Sequence, residues 1–394
     1  MFMKFKKVVS AALVAVLAVA CMSGCGDNKD GQASAGGSGG DVVKIGGIGP
    51  VTGSAAVYGM AVKNGAELAV KEINEAGGIN GKQIEFDFQD DENDAEKAVN
   101  AYNTLKDWGT HAILGTVTSA PCVAVGEVAQ ADNIFLLTPS GTAVDCVKYD
   151  NAFRVCFSDP MQGLESAKYI GDNNLAAKVA VIYDSSDVYS SGIYEAFVKE
   201  AKNQNFEIVA AEAFTKESNS DFSVQLQKAK DAGAELVFLP FYYSEASLVL
   251  KQAAGMNYAP KFFGCDGMDG ILAVKGFDAN LANDLMFLSP FTPTSEDEAI
   301  QKFVTDFQES YGDTPNQFAA DAYDGIYAIK AAMEKANVTP DMSTSEICDA
   351  LKTAMTEITI DGVTAKSLTW QSSGEPSKEP MVVKIADGDY AVVE

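Results

Sequence analysis

The chain has 394 residues, 47% of them hydrophobic, with 55 acidic side chains against 29 basic ones and a formal charge of −26 at pH 7. So large a negative charge repels the phosphate backbone, which excludes nucleic acid as a partner and suits an exposed, soluble protein. One histidine, and cysteines with no Cys-x-x-Cys pair, provide neither a metal centre nor the usual acid–base group, so no metal and no cofactor is expected.

Residues 1–7 carry Lys4, Lys6 and Lys7 and no acid, and an uncharged apolar run follows over 8–22. This is the pattern of a secretory signal peptide, and the run is shorter than the roughly 20 residues a membrane-spanning helix needs. It ends in Ser23-Gly24-Cys25, which resembles a bacterial lipoprotein signal. That resemblance implies removal of residues 1–24 and a diacylglyceryl group on Cys25, with Cys21 as a second candidate, and hence an extracytoplasmic protein anchored to the cell membrane. Residues 25–40 hold no large apolar side chain after Cys25 and are expected to be a flexible tether. The roughly 350 residues beyond exceed one ordinary core, so two domains are expected.

Residues 42–48 form a β-rich run, and Val62, Ala66, Ala69, Val70 and Ile73 recur at helical spacing. The unit repeats: a strand over 84–88 with a helix marked by Ala98, Ala101, Tyr102 and Leu105, a strand over 112–117 with a helix over 121–131, and a strand over 134–137. A second series starts near Pro160 with a helix to 173, strands over 179–183, 208–210, 236–241 and 262–264, and helices between them. A strand over 285–289 precedes helices at 300–311 and 319–336, which are expected to pack on an existing lobe. Alternating strands and helices predict an α/β fold of two lobes, each a parallel sheet covered on both faces.

Ligands of open parallel sheets bind in the loops beyond the strands' carboxyl ends. Thr118-Ser119-Ala120-Pro121 follows one strand, where Ser119 can cap a helix whose free N–H groups suit a carboxylate. Thr138-Pro139-Ser140-Gly141-Thr142 follows the next, with hydroxyls and a glycine that allows close approach. Asp266-Gly267 supplies an acid for an ammonium, and Tyr58, Tyr189, Tyr242 and Tyr243 lie in similar loops. Each of these alone is better explained by a turn, a cap or packing. The spacing of Gly46, Gly47, Gly49 and Gly53, interrupted by Pro50, does not fit a dinucleotide fingerprint, and no Gly-x-Ser-x-Gly element occurs, so no catalytic residue is expected. His111 is expected to be structural. Five cysteines beyond the leader, 122, 146, 156, 265 and 348, suggest neither a disulfide framework nor a zinc site.

The ordered series Gly49-Pro50-Val51-Thr52-Gly53 with Tyr58-Gly59, Asn64-Gly65-Ala66, Ile73-Asn74-Glu75-Ala76-Gly77-Gly78-Ile79-Asn80-Gly81, Asp90-Asp91, Asp221-Phe222-Ser223 and Tyr242-Tyr243 with Glu245 resembles the type I periplasmic solute-binding proteins, most closely those for leucine, isoleucine and valine. The resemblance implies two Rossmann-like lobes, 41–158 plus 290–360 and 159–289 plus 361–394, joined by three hinge segments near Ser158, Ser289 and Thr359. It implies a monomer that captures a branched-chain or related amino acid and delivers it to the permease of an ABC transporter. The carboxylate is expected at Ser119, Thr142 and the backbone near Ser140, the ammonium at Asp266 and Thr142, and Tyr58, Tyr189 and Tyr242 around them. Two departures stand out. Asp266 replaces the family's usual glutamate, one methylene longer, and Glu92 and Thr118 stand near where the first lobe's disulfide would be. A different small ligand, such as another amino acid, an amide or an aromatic carboxylate, is the alternative within binding; an α/β enzyme is the alternative outside it.

Overall fold

The structure, a computed structural model, describes residues 42–393. The expected leader and tether, and Cys25 with them, lie outside the described residues. The chain enters as β1 (Val42–Gly49) and passes into α1 (Ala56–Glu75). Then come β2 (Gln83–Asp90), α2 (Ala95–Trp108), β3 (Ala112–Gly115), α3 (Ser119–Asp132), β4 (Leu136–Thr138) and β5 (Ala152–Arg154). These strands form one parallel sheet in the order β2-β1-β3-β4-β5. Successive side chains of a strand point to opposite faces. Leu114 and Leu137 therefore join Val62, Ala66 and Ile73 of α1 in one apolar cluster, while Ile113 and Leu136 join Tyr102 of α2 and Val125 of α3 in another. Burial on both faces explains why these strands read as continuous apolar runs.

The second lobe repeats the plan with α4 (Asp159–Asp172), β6 (Lys178–Asp184), α5 (Val188–Ala201), β7 (Glu207–Phe214), α6 (Ser223–Asp231), β8 (Leu236–Leu239), α7 (Tyr243–Gly255), β9 (Lys261–Gly264) and β10 (Met286–Ser289). Val181 and Phe238 face α4 and α5, and Ile182 and Val237 face the other side. The chain then returns to the first lobe as α8 (Glu298–Tyr311), α9 (Gln317–Lys335) and α10 (Thr344–Met355). A Cβ on Gly65 would lie 2.1 Å from the carbonyl oxygen of Ala319, so α1 and α9 meet at backbone distance because that residue is glycine. Finally β11 (Met381–Ala386) and β12 (Asp389–Val392) add an antiparallel hairpin to β10, giving the sheet β12-β11-β10-β9-β8-β6-β7.

The lobes are thus joined by three passages, after β5, after β10 and just before β11. The first two fall where Ser158 and Ser289 stand. The third falls at Glu379-Pro380 and not near Thr359, because residues 361–378 are bonded to the first lobe. Val363 and Thr364 donate their amides to Asp324 on α9, the Trp370 indole donates to the carbonyl of Arg154, and Lys378 pairs with Asp321. His111 serves the backbone, its Nδ1 accepting from the amide of Lys44 at 3.0 Å, and Cys122, Cys146, Cys156, Cys265 and Cys348 are buried free thiols.

Candidate functional site

The loops beyond β3 and β4 and the first turns of α1 and α9 face, across the gap between lobes, the loops beyond β8 and β9 and the start of α5. The first lobe contributes Tyr58, Val117, Thr118, Ser119, Ser140 and Phe318, and the second contributes Tyr189, Tyr242, Asp266 and Gly267. These walls enclose a free space of about 10 Å³, roughly enough for one water molecule. Anything larger enters only if the walls move apart. An antechamber of about 170 Å³ continues from Tyr242, lined by Asp184, Asp187 and Glu245 with Lys216. A larger groove of about 780 Å³ lies between α4 and α5 beside Glu379 and shares no residue with the cleft.

Six of the seven expected site residues meet in this cleft: Tyr58, Ser119, Ser140, Tyr189, Tyr242 and Asp266. Thr142 does not line it. Its amide donates to the Oγ of Ser119 at 3.2 Å, and its carbonyl accepts from the amide of Asp159 at 2.9 Å, so it stands behind Ser119. Ser119 also differs from expectation, since it is the first residue of α3 and Thr118 is the cap position, without a side-chain cap bond. The Ser119 Oγ accepts instead from the amides of Thr142 and Ala143 at 3.2 Å each, which leaves its own proton to donate. Ser140 donates its hydroxyl to the carbonyl of Val117 at 2.7 Å, tying the two loops of that wall together.

Asp266 anchors the opposite wall. Its Oδ1 accepts from the Tyr189 hydroxyl at 2.6 Å, and its amide donates to Oε1 of Gln162 at 3.0 Å. Burial pushes its carboxyl up to about 6, against which the Tyr189 hydroxyl and the Gln162 side chain favour the charged form. A Cβ on Gly267 would lie 2.7 Å from the Tyr189 hydroxyl, so glycine here lets that hydroxyl reach the backbone and accept from its amide at 3.0 Å. The rings of Tyr189 and Tyr242 stack at 4.9 Å. Burial raises the hydroxyls of Tyr58, Tyr189 and Tyr242 well above the usual phenol range, keeping them protonated donors. Tyr58 spans the gap: its hydroxyl donates to the carbonyl of Gly267 at 2.5 Å and accepts from the amide of Tyr243 at 3.2 Å.

Phe318 and Gln162 were absent from the expected set. Phe318 sits 4.3 Å from the Tyr58 ring, at the start of a helix more than two hundred positions away in sequence, where periodicity marks only a buried face. The arrangement offers a hydroxyl donor at a helix N-terminus on one wall and a buried carboxylate on the other, with aromatic rings between. Such a pair complements a molecule with an anionic and a cationic end, and no nucleophile–base pair is assembled among the cleft's residues.

Residues 42–389 match the family described as periplasmic binding protein. The Leu/Ile/Val-binding protein homolog 3 of Brucella melitensis is 31% identical over 303 residues, covering 76% of this chain and 80% of its own. The leucine-, isoleucine-, valine-, threonine- and alanine-binding protein of Pseudomonas aeruginosa is 28% identical over 316 residues, covering 79% of this chain and 82% of its own. Among solved structures, the isoleucine complex of the branched-chain amino acid transporter substrate binding protein LivJ from Streptococcus pneumoniae is similar with a TM-score of 0.81 and 30% identity, over 89% of this chain and 99% of that one. With the match running through both lobes and the cleft between them, this protein belongs to the periplasmic binding protein family and has the fold of its branched-chain amino acid-binding members.

Proposed function

We propose that this protein is the substrate-binding component of an ABC importer, which captures a branched-chain or closely related amino acid between its lobes and presents it to the permease. The observation that carries this reading is the pairing across the cleft of the Ser119 hydroxyl, at the N-terminus of α3, with the buried carboxylate of Asp266. The α-carboxylate of the ligand meets Ser119 and the Ser140 loop, its ammonium meets Asp266, and Tyr58, Tyr189, Tyr242 and Phe318 enclose its side chain. Thr142 acts through its backbone behind Ser119. Passages at Ser158, Ser289 and Glu379 act as the hinge, and the closed pair of lobes is what the permease recognises. The protein acts as a monomer, held at the outer face of the cell membrane by a lipid on Cys25. Two acyl chains make such tethering durable where one does not.

A thermal-shift screen against the standard amino acids, their amides and small aromatic acids tests the assignment, because a ligand that binds only the folded state raises its melting temperature. Leucine, isoleucine or valine is expected to give the largest rise. A rise with lysine or arginine alone would reassign the side-chain end of the site to the acid-lined antechamber, and no rise with any amino acid would sink the reading.

Tyr58→Phe removes the hydroxyl that bridges the lobes while keeping the ring. It is expected to weaken binding by about 1–3 kcal/mol, chiefly through faster release, since two backbone groups would be left unpaired only when the lobes are together. Stopped-flow dissociation rates equal to those of the parent protein would show that Tyr58 does not latch the closed form.

A further inference from the structure

Arg154, the last residue of β5, is wholly buried and yet contributes nothing to the cleft walls. Its guanidinium donates to three consecutive carbonyls of the loop after β4: Nη1 to Gly141 at 3.1 Å and to Thr142 at 2.5 Å, and Nη2 to Ala143 at 2.9 Å. The same loop donates in the opposite direction, through the amides of Thr142 and Ala143, to the Oγ of Ser119. The carbonyl of Gly141 and the amide of Thr142 belong to one peptide group, and the carbonyl of Thr142 and the amide of Ala143 to the next. Both peptide groups are therefore held at two ends, by a cation behind and by the serine oxygen in front.

Hydrogen bonds in series polarise one another, more strongly in a dry interior than in water. A full positive charge on the carbonyl side makes each amide a better donor, and the two amides together occupy the lone pairs of the Ser119 oxygen. What remains to that hydroxyl is its proton. We propose that Arg154 is a positioning residue which, through these two peptide groups, commits the Ser119 hydroxyl to donate into the cleft and so selects an anionic group, a carboxylate, at that wall. The proposal rests on the reading of the cleft as an amino-acid site. Lysine could not replace it, because an ammonium is a compact point charge while the planar guanidinium forks across three acceptors. The arginine is itself fixed from the far side: its amide donates to the carbonyl of Gly374 at 3.0 Å, its carbonyl accepts from the Trp370 indole at 2.7 Å, and its Nε lies 3.3 Å from Oε2 of Glu375. These three belong to the segment that leads into the third passage, so the carboxylate-binding wall and the hinge share one buried residue.

The test is a double-mutant cycle on the full protein, with Arg154→Lys, Ser119→Ala and their combination titrated with isoleucine, beside amide hydrogen exchange at Thr142 and Ala143 in each variant. Arg154→Lys is expected to lower isoleucine affinity about tenfold when Ser119 is present and less than about threefold in the Ser119→Ala background, because coupled residues are non-additive. The two amides are expected to exchange faster in Arg154→Lys. An equal loss in both backgrounds would mean that Arg154 only supports the fold, and unchanged exchange at Thr142 and Ala143 would overturn the relay directly. Failure of the amino-acid reading looks different: the parent protein itself would not bind isoleucine, and the exchange measurement alone would then decide the relay.

Discussion

Asp266→Ala is expected to abolish amino-acid binding, with a loss of about 3–5 kcal/mol, more than a hundredfold in affinity. The reason is the environment of the group, 4% exposed and facing the opposite wall at close range. An ammonium drawn from water into such a site is tolerated only beside a counter-charge, and removing the carboxylate leaves it unpaired. The same burial predicts a pH dependence. The Asp266 carboxyl titrates near 6 against an ordinary value of 3.8. A folded-state value above the unfolded one means that the group's contribution to stability is fully present below the unfolded value and is lost as pH rises through about 6. The charged form that a ligand ammonium requires is therefore strained in the closed protein, and the ammonium relieves that strain. Isoleucine affinity is expected to fall as pH drops, because protonation of Asp266 removes the counter-charge, and to be flat above about 7, where the carboxyl is charged. Neighbouring acids need separating from it, since burial pushes Asp187 up to about 6 as well, and Asp159 well above its usual range. Asp266→Asn separates them: its residual binding should show no such slope by calorimetry between pH 5 and 8. A parent protein with pH-independent affinity would remove Asp266 from the ammonium site.

The strand–helix repeat could be read from the sequence because each central strand is buried on both faces and leaves an unbroken apolar run, as in residues 112–115 and 236–239. The strand β5, three residues long, is too short to show any period, and β11 and β12 alternate too weakly beside charged residues to stand out. The third passage differs from the expected place near Thr359 for another reason. Nothing local in residues 361–378 says which lobe they follow; Asp324 on α9 and Arg154 on β5 decide that, and both are distant in sequence. The site behaved in the same way. Loops beyond strand ends could be found from chain order alone, and Ser119, Ser140, Tyr189, Tyr242 and Asp266 in them line the candidate cleft. The direction of each hydrogen bond could not. Thr142 offers a hydroxyl in the same loop, yet the backbone of that loop is turned so that the Thr142 amide donates to Ser119, while Thr142 itself does not line the cleft.

Lys378→Met is expected to be the most destabilising change outside the cleft, at about 3–5 kcal/mol. Lys378 is 1% exposed and donates to Oδ1 of Asp321 at 2.6 Å and to the Thr364 hydroxyl at 2.5 Å. Methionine would fill most of the volume and leave Asp321 without its cation, next to Asp324, whose carboxyl burial already raises. Asp321 titrates near 6 even with the lysine present. Without it the value must rise further, so in the variant the carboxyl can escape the penalty by taking up a proton. The loss should therefore be largest near pH 8, where the carboxyl is forced to remain charged or to bind a proton against the bulk concentration, and smaller near pH 5. Urea unfolding at the two pH values measures this, and a loss below about 1 kcal/mol at pH 8 would mean that the pair is no stronger than an exposed one. Adding Asp321→Leu should restore part of the stability by removing the orphaned acid. Because Lys378 directly precedes the passage at Glu379-Pro380, the double variant also separates two roles of the pair. If stability returns while isoleucine affinity stays low, the ion pair sets the geometry of closure; if both return, it served only to anchor residues 361–378 to the first lobe.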